Sequence, residues 1–132
     1  MAKLTQEMKD LIAQQQCFVA TVGADGVPNL GPKRTTRVLD DEHLVYFEVT
    51  AKRTWQNVRR GSKVAIAVVD REKMKGFRFL GTPEAITSGP AFDSAAEAIR
   101  NLGIRAPLTA VIKVTIEKIF NLGAPGAGEE IV

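Results

Sequence analysis

Two short segments of the chain place positive charge beside hydroxyl groups. Residues 33–37 read Lys-Arg-Thr-Thr-Arg, and residues 50–54 read Thr-Ala-Lys-Arg-Thr. An arginine can bind a phosphate through two parallel hydrogen bonds, a lysine adds a point charge, and a threonine hydroxyl donates a further bond. If the fold brings the segments together, they form a phosphate pocket. The same residues also suit a solvated basic hairpin edge, so the pattern alone leaves both interpretations open.

The elements around these segments predict that the two segments meet. Thr35–Leu39 and Leu44–Val49 are strand-like runs, and the four polar residues 40–43 between them predict a hairpin loop. The first segment leads into one strand and the second follows its antiparallel partner, so both lie at the same end of the hairpin. Lys52–Arg60 predicts a short helix that ends at Gly61, and the first N–H groups of a helix favour anions.

The remaining patterns predict a mainly β domain. Apolar residues at helical spacing after Thr5, a typical N-cap residue, predict a first helix that ends near Gln14–Gln16. The two prolines of Val27–Pro32 cannot donate ladder hydrogen bonds, so this arm should be irregular, bulged or at an edge. Gly81 predicts a bulge. Further strands are expected at Cys17–Val22, Lys63–Asp70, Gly76–Ile86 and Ile112–Ile116, and a further helix from Pro90 to near Gly103.

About seven strands and three helices predict one compact barrel or sheet whose ends the helices cover. We expect a single domain over residues 1–132, with the glycine-rich residues 123–132 as a mobile tail. Strands and helices do not alternate regularly, and the chain has no G-x-G-x-x-G run. A nicotinamide-binding Rossmann domain is therefore not expected.

Composition narrows the classes of function. The 132 residues are 45% hydrophobic and 25% charged with a net charge of +3, which is typical of a soluble globular protein. No apolar run approaches a membrane span of about 20 residues, and the polar N-terminus lacks a signal-peptide centre. We therefore expect a cytoplasmic protein without a membrane partner. The single cysteine, Cys17, allows no intramolecular disulfide, and a lone histidine, His43, does not predict a metal site.

An ordered series of motifs covers most of the chain. It consists of Phe18–Val22, Asp25-Gly26, Pro28-Asn29, Pro32, Arg37–Asp41, Phe47–Thr54, Asn57-Val58, Lys63–Ala65 and Gly76–Gly81. In order and spacing this series resembles the FMN-binding split-barrel superfamily, which includes pyridoxamine 5′-phosphate oxidase and small FMN-binding proteins. The resemblance implies a mainly β fold, an antiparallel Greek-key split β-barrel with about three short peripheral α-helices.

The resemblance also implies FMN as the cofactor and a set of residues that bind it. These residues are Pro32, Lys33, Arg34, Thr35, Thr36, Val49, Thr50, Lys52, Arg53 and Thr54. In the family, the segment that corresponds to Lys52–Thr54 holds the FMN phosphate. The residues that correspond to Pro32–Thr36 enter the third strand and lie against the ring system and ribityl chain, largely through backbone groups. Those that correspond to Val49 and Thr50 face the same ligand. Family members are typically dimers with FMN at the subunit interface, so a homodimer is expected.

Three functions remain open at this stage. The first is an FMN-dependent oxidoreductase related to pyridoxamine 5′-phosphate oxidase, with an unknown substrate. Oxidation of pyridoxamine 5′-phosphate itself is not expected, because that enzyme uses a basic, histidine-containing segment near its C-terminus and no arginine or histidine follows Arg105 here. The second is a non-catalytic flavin carrier or electron-transfer module. The third, a nucleic-acid-binding barrel, is disfavoured because only 6% of residues are aromatic, too few for base stacking.

The sequence assigns no catalytic residue and leaves two conspicuous side chains without a role. Glu48 is a carboxylate at the end of the fourth strand, on the side where the ligand is expected. Trp55 follows the basic segment and would either stack on a flavin or anchor the core or an interface.

Overall fold

The computed structural model describes residues 2–131, which form three helices and eight strands. Met1 and Val132, the ends of the predicted domain, lie outside the described residues. The helices are α1 (Gln6–Gln14), α2 (Arg53–Arg59) and α3 (Pro90–Asn101). The strands are β1 (Cys17–Val22), β2 (Pro28–Pro32), β3 (Arg37–Asp40), β4 (His43–Glu48), β5 (Val64–Asp70), β6 (Lys75–Ile86), β7 (Ala110–Asn121) and β8 (Glu130–Ile131). None of the three helices is long and apolar enough to cross a membrane.

All eight strands belong to one antiparallel sheet. Its order is β2-β1-β5-β6-β7-β4-β3, and β8 pairs with β7. The hairpins β1–β2 and β3–β4 lie on opposite sides of the central strands β5, β6 and β7. Within residues 2–131 the sheet does not close, since β2 and β3 are its two edges, and the predicted split barrel is confirmed. The proline-containing arm lies at an edge, as expected, where its missing N–H groups leave no gap in the ladder.

The predicted bulge at Gly81 is confirmed. The pairing of β6 with β7 shifts register between Leu80 and Gly81. A Cβ atom at position 81 would clash with the Thr115 carbonyl oxygen, so the close approach of the two strands requires glycine. A bulge bends the strand that contains it. Here it lies in β6, which pairs with the equally long, twelve-residue β7 on one side and with β5 on the other.

Helix α1 begins where the sequence predicts. The Thr5 hydroxyl accepts a hydrogen bond from the Met8 N–H at 3.3 Å, and the Met8 sulfur accepts one from the Thr5 N–H at 3.4 Å. This reciprocal pair satisfies two N–H groups at the helix start. The helix then buries Met8, Leu11 and Ile12 against the interior of the barrel.

The two faces of β4 contact different cores. Leu44 and Tyr46 point into the barrel and are fully buried. Val45 and Phe47 point outward and are covered by α3, so this strand is buried on both faces. By the same alternation, Glu48 lies on the barrel side, where its 0% exposure is unusual for a carboxylate.

The structure differs from the sequence-based expectations in several places. Strand β7 runs over Ala110–Asn121 and not only Ile112–Ile116, because its ends pair with β4, β6 and β8. The predicted loop 40–43 is shorter, because Asp40 and His43 pair with each other as the ends of β3 and β4. Strand β3 begins at Arg37 and not at Thr35, because the Thr36 N–H closes a turn onto the Lys33 carbonyl. Helix α2 is one residue shorter at each end than Lys52–Arg60. The tail expected to be mobile returns to the sheet as β8, and the Asn121 side chain binds backbone groups of the tail at residues 123 and 125. The count of strands is therefore eight and not about seven.

Candidate functional site

The two basic segments meet at the end of the β3–β4 hairpin, as the sequence predicts. A cleft of about 420 Å³ lies between the end of β2 and the start of α2. It is lined by Asn29, Leu30, Gly31, Pro32, Lys33, Thr50, Lys52, Arg53 and Thr54. A second cleft of about 280 Å³ is lined by Pro32, Lys33, Arg34, Thr35, Phe47, Val49, Thr50 and Ile104. Because the two share three lining residues, we describe them together as the hairpin-end cleft.

The two parts of the hairpin-end cleft differ in chemistry. The part beside α2 carries the cations Lys52 and Arg53. The other part has apolar walls formed by Phe47, Val49 and Ile104. We name residues 32–36 the Lys33 wall and residues 50–54 the Arg53 wall. Lys33 and Arg34 also line this second part. A ligand that spans the cleft therefore meets cations in both parts and the apolar side chains of Phe47, Val49 and Ile104 in the second.

The threonines of the Lys33 wall bond to the backbone. Thr35 Oγ1 accepts a hydrogen bond from the Phe47 N–H at 2.9 Å and donates to the Phe47 carbonyl at 3.4 Å. Thr36 Oγ1 donates to the Lys33 carbonyl at 2.7 Å. Both side chains are buried, so their hydroxyls fix the wall in place. Thr36 does not line the hairpin-end cleft; it faces a separate cleft beside the C-terminal end of α1.

A buried ion pair joins the Lys33 wall to the end of β4. Lys33 Nζ lies 2.9 Å from Glu48 Oε2, with side-chain exposures of 12% and 0%. The same oxygen accepts hydrogen bonds from the Ala51 N–H at 3.2 Å and from the Thr50 hydroxyl at 3.4 Å. The other oxygen, Oε1, is buried and has no partner in residues 2–131. Sequence reasoning missed this pair, although a carboxylate at an inward position of a buried strand is itself a signal that a cation lies opposite.

Tyr46 adds a third polar group beside this pair. Burial raises the pKa of the Tyr46 hydroxyl, and the negative charge of Glu48 raises it further. Lys33 Nζ lies 5.7 Å from the centre of the Tyr46 ring. The tyrosine therefore stays protonated throughout the physiological pH range.

The charged side chains of the Arg53 wall are exposed. Among residues 2–131, neither Lys52 nor Arg53 has an ion-pair or side-chain hydrogen-bond partner. Thr54 is buried, and its Oγ1 accepts a hydrogen bond from Asn29 Nδ2 at 3.0 Å. Because Asn29 donates to a lone pair of the Thr54 hydroxyl oxygen, the hydroxyl proton of Thr54 remains available for donation. Asn29, in the neighbouring strand β2, belongs to the motif series but is not among the predicted cofactor-binding residues.

The backbone between β4 and α2 adopts a rare conformation. Ala51 has a φ of 54°, in the left-handed region that residues with a Cβ seldom occupy. Lys52 follows as the N-cap of α2 and offers no side-chain capping bond. The hydrogen bond from the Ala51 N–H to Glu48 stabilises this conformation locally.

Other conspicuous side chains lie away from the cleft chemistry. Trp55 packs against the barrel core, and the Arg59 guanidinium lies 5.7 Å from its ring, which fits the role of a core anchor. His43 pairs with Asp40 at 2.7 Å, at the opposite end of the hairpin. Burial raises the pKa of the Cys17 thiol to about 11. No group of three or more metal-ligating side chains occurs in the described part of the chain.

The open antiparallel barrel with a cleft at one hairpin end places the protein in the class of split-barrel proteins. Residues 4–123 match the sequence model of the pyridoxamine 5′-phosphate oxidase family, so the chain belongs to that family. An uncharacterized protein from Methanocaldococcus jannaschii is 30% identical over 98% of this chain and 88% of its own length.

Solved structures share the same fold. HupZ of Group A Streptococcus is 44% identical with a TM-score of 0.84, and the match covers 96% of this chain and 98% of that one. A protein of Lactobacillus delbrueckii, described as a putative pyridoxamine 5′-phosphate oxidase, is 34% identical with a TM-score of 0.79. The match covers 89% of this chain and 93% of that one. A protein of Syntrophomonas wolfei, described as FMN-binding, is 18% identical with a TM-score of 0.75, covering 89% and 84%, and supports the fold alone.

Proposed function

We propose that this protein binds FMN in the hairpin-end cleft and acts as an FMN-dependent oxidoreductase. The observation that carries the proposal is the pair of exposed cations, Lys52 and Arg53, which have no ion-pair partner within residues 2–131 and lie beside a cleft that continues past apolar side chains. FMN has a dianionic phosphate at one end and a flat ring system at the other. Membership in the pyridoxamine 5′-phosphate oxidase family supports the same ligand.

The residues present fit the two ends of FMN. Arg53 can bind the phosphate through two hydrogen bonds, Lys52 adds charge, and the free hydroxyl proton of Thr54 adds a neutral donor. The apolar side chains of Phe47, Val49 and Ile104 suit a flat aromatic ring. The predicted ligands Pro32, Lys33, Arg34, Thr35 and Thr50 line the cleft, whereas Thr36 would act on it only through the backbone.

When bound, FMN would supply the hydride or electron transfer, and the protein would supply position and electrostatics. Lys33 and Glu48 are tied to each other, so neither offers a free acid or base to a substrate. This observation also favours a second candidate, a non-catalytic flavin carrier or electron-transfer module. Turnover with a reduced nicotinamide and an electron acceptor would support the oxidoreductase, and stoichiometric flavin without turnover would support the carrier.

The identity of the cofactor is tested by release from the purified protein. One phosphate-sized basic site without a glycine-rich pyrophosphate loop favours FMN over FAD. We expect chromatography of the denatured protein, purified directly or after incubation with flavins, to yield FMN. FAD, or no flavin after reconstitution, would overturn the proposal.

We further propose that the protein is a homodimer with the cleft near the subunit interface. The family resemblance supports this assembly, and an obligate two-fold interface would bury on the order of 2,000 Å² or more. Light scattering should return twice the chain mass of 14.3 kDa. A monomer that binds stoichiometric FMN would refute the interface site.

A further inference from the structure

Three bonds at the end of β4 converge on one buried oxygen atom. Glu48 Oε2 contacts the Lys33 ammonium, the Ala51 N–H and the Thr50 hydroxyl, at 2.9, 3.2 and 3.4 Å. These groups come from both walls of the hairpin-end cleft. A single carboxylate therefore connects the Lys33 wall to the loop at the start of the Arg53 wall.

The loop needs such an anchor. Alanine at a φ of 54° occupies a sparsely populated conformation, so an unrestrained loop would spend most of its time at negative φ. Ala51 directly precedes Lys52 and Arg53, and a change in its φ would redirect both cations. The bond from its N–H to Glu48 favours the conformation in which they line the cleft.

The ion pair with Lys33 offsets the cost of burying the Glu48 carboxylate. Glu48 is 0% exposed, and a buried carboxylate without a cation is strongly disfavoured. The Lys33 ammonium neutralises it, and in doing so is committed to Glu48. Lys33 thus lines the cleft without contributing a free positive charge to it.

We propose that Glu48 is the positioning residue of the cleft: it holds Ala51 in its rare conformation and so pre-organises Lys52 and Arg53 for a phosphate, with Lys33 as its counter-ion. The inference rests on the proposed FMN site for its ligand. Its structural half, the anchoring of Ala51, does not depend on FMN.

Two matched variants isolate the anchor from the charges. Lys33→Met/Glu48→Gln and Lys33→Met/Glu48→Met both remove the ion pair without leaving a buried charge, but only the glutamine retains an acceptor for the Ala51 N–H. We expect the second variant to bind FMN roughly five- to tenfold more weakly than the first, because a smaller fraction of it has the competent loop. Equal affinities of the two variants would overturn the inference.

A rescue experiment separates anchoring from general damage to the fold. Glycine adopts positive φ about as readily as negative φ. Adding Ala51→Gly to Lys33→Met/Glu48→Met should therefore restore most of the lost FMN affinity, whereas a purely structural defect would not respond. Absence of rescue in a variant that unfolds as cooperatively as its glutamine counterpart would contradict the inference.

Amide exchange of the flavin-free protein provides the test that needs no ligand. We expect the Ala51 N–H to exchange on the order of tenfold faster in Lys33→Met/Glu48→Met than in Lys33→Met/Glu48→Gln, while core amides of β6 stay equally protected. Equal Ala51 rates would overturn the inference. If the wild-type protein bound no FMN but the exchange difference appeared, the proposed function would fail and the anchor would stand.

Discussion

The Lys33 wall and the Arg53 wall each contain one lysine, one arginine and two threonines, but these side chains have different partners. In the Lys33 wall the ammonium is bound to Glu48, and both threonine hydroxyls are bound to backbone groups. In the Arg53 wall the two cations are exposed without partners in residues 2–131. Lys33 and the two threonines hold the first wall in place, whereas Arg34 of that wall is exposed and, among residues 2–131, has no ion-pair partner either, like the two cations of the second wall.

This difference shows why composition alone cannot assign roles in a binding site. Lys33 and Lys52 both line the hairpin-end cleft, yet one is 12% exposed and neutralised while the other faces solvent. Substitution of the buried, bonded residues Lys33, Thr35 and Thr36 should therefore act mainly on stability. Substitution of the exposed cations Lys52 and Arg53 should act mainly on ligand affinity.

The largest expected effect is on stability, from Lys33→Ala. The substitution leaves Glu48 as an unpaired buried carboxylate, which typically costs about 3–5 kcal/mol. Urea unfolding should show this loss in the free energy of unfolding. Arg34→Ala, in the same wall but exposed, is the control and should change stability by less than about 0.5 kcal/mol. Similar small losses for both variants would show that the ion pair does not stabilise the Lys33 wall.

Next in size is the effect of Arg53→Ala on FMN binding. Loss of a charged hydrogen bond to phosphate costs about 1.5–3 kcal/mol, so FMN affinity should fall roughly ten- to a hundredfold. Riboflavin, which has no phosphate, should be affected far less. Arg59→Ala, near the other end of α2, is the matched control and should change little.

The comparison of FMN with riboflavin decides what Arg53 does. If Arg53→Ala weakens both ligands equally, as measured by fluorescence titration, Arg53 supports the fold and does not contact the phosphate. The phosphate site would then have to be reassigned to Lys33 and Arg34.

A smaller effect on stability is expected from loss of the Asn29–Thr54 hydrogen bond, because Thr54 is a buried residue of the Arg53 wall. Asn29→Ala removes one neutral bond, which typically contributes about 0.5–1.5 kcal/mol to stability. Thr54→Val should cost a similar amount, and the double variant should lose less than the sum because both remove the same bond. Fully additive losses in thermal or urea unfolding would indicate that the side chains act independently.

The smallest effect is expected at Cys17, behind the Lys33 wall, where its carbonyl accepts a hydrogen bond from the Lys33 N–H. Burial raises the pKa of this thiol to about 11, so at pH 8 it stays protonated and unreactive in the folded protein. Iodoacetamide should label it slowly at pH 8 and rapidly once the protein is denatured. Rapid labelling of the native protein would show that the wall opens.

Much of the fold follows from local signals in the sequence. Thr5 marks the start of α1 because its capping partner, Met8, is three residues away. Gly81 and the prolines of β2 mark a bulge and an edge strand by residue type, although the strands they meet are distant in sequence. The strand β8 was not predictable in this way. It depends on Asn121, which binds the tail backbone from the end of β7.

In the candidate site, too, some features follow from the sequence and others depend on tertiary packing. That residues 33–36 and 50–54 meet follows from the antiparallel hairpin between them. The partner of each side chain does not follow from the hairpin. Glu48 and Lys33 are 15 residues apart in the sequence, and Asn29 and Thr54 are 25 residues apart. Such pairings depend on tertiary packing. The sequence therefore predicted a basic cleft but not which of its cations are free.

A crystal structure of the protein with FMN bound would test the proposed roles of the two walls together. We expect the phosphate oxygens to lie within hydrogen-bond distance of the Arg53 guanidinium and Thr54 Oγ1, with Lys33 still paired to Glu48. A phosphate bound beside α1, or held by Lys33 after its separation from Glu48, would contradict these roles.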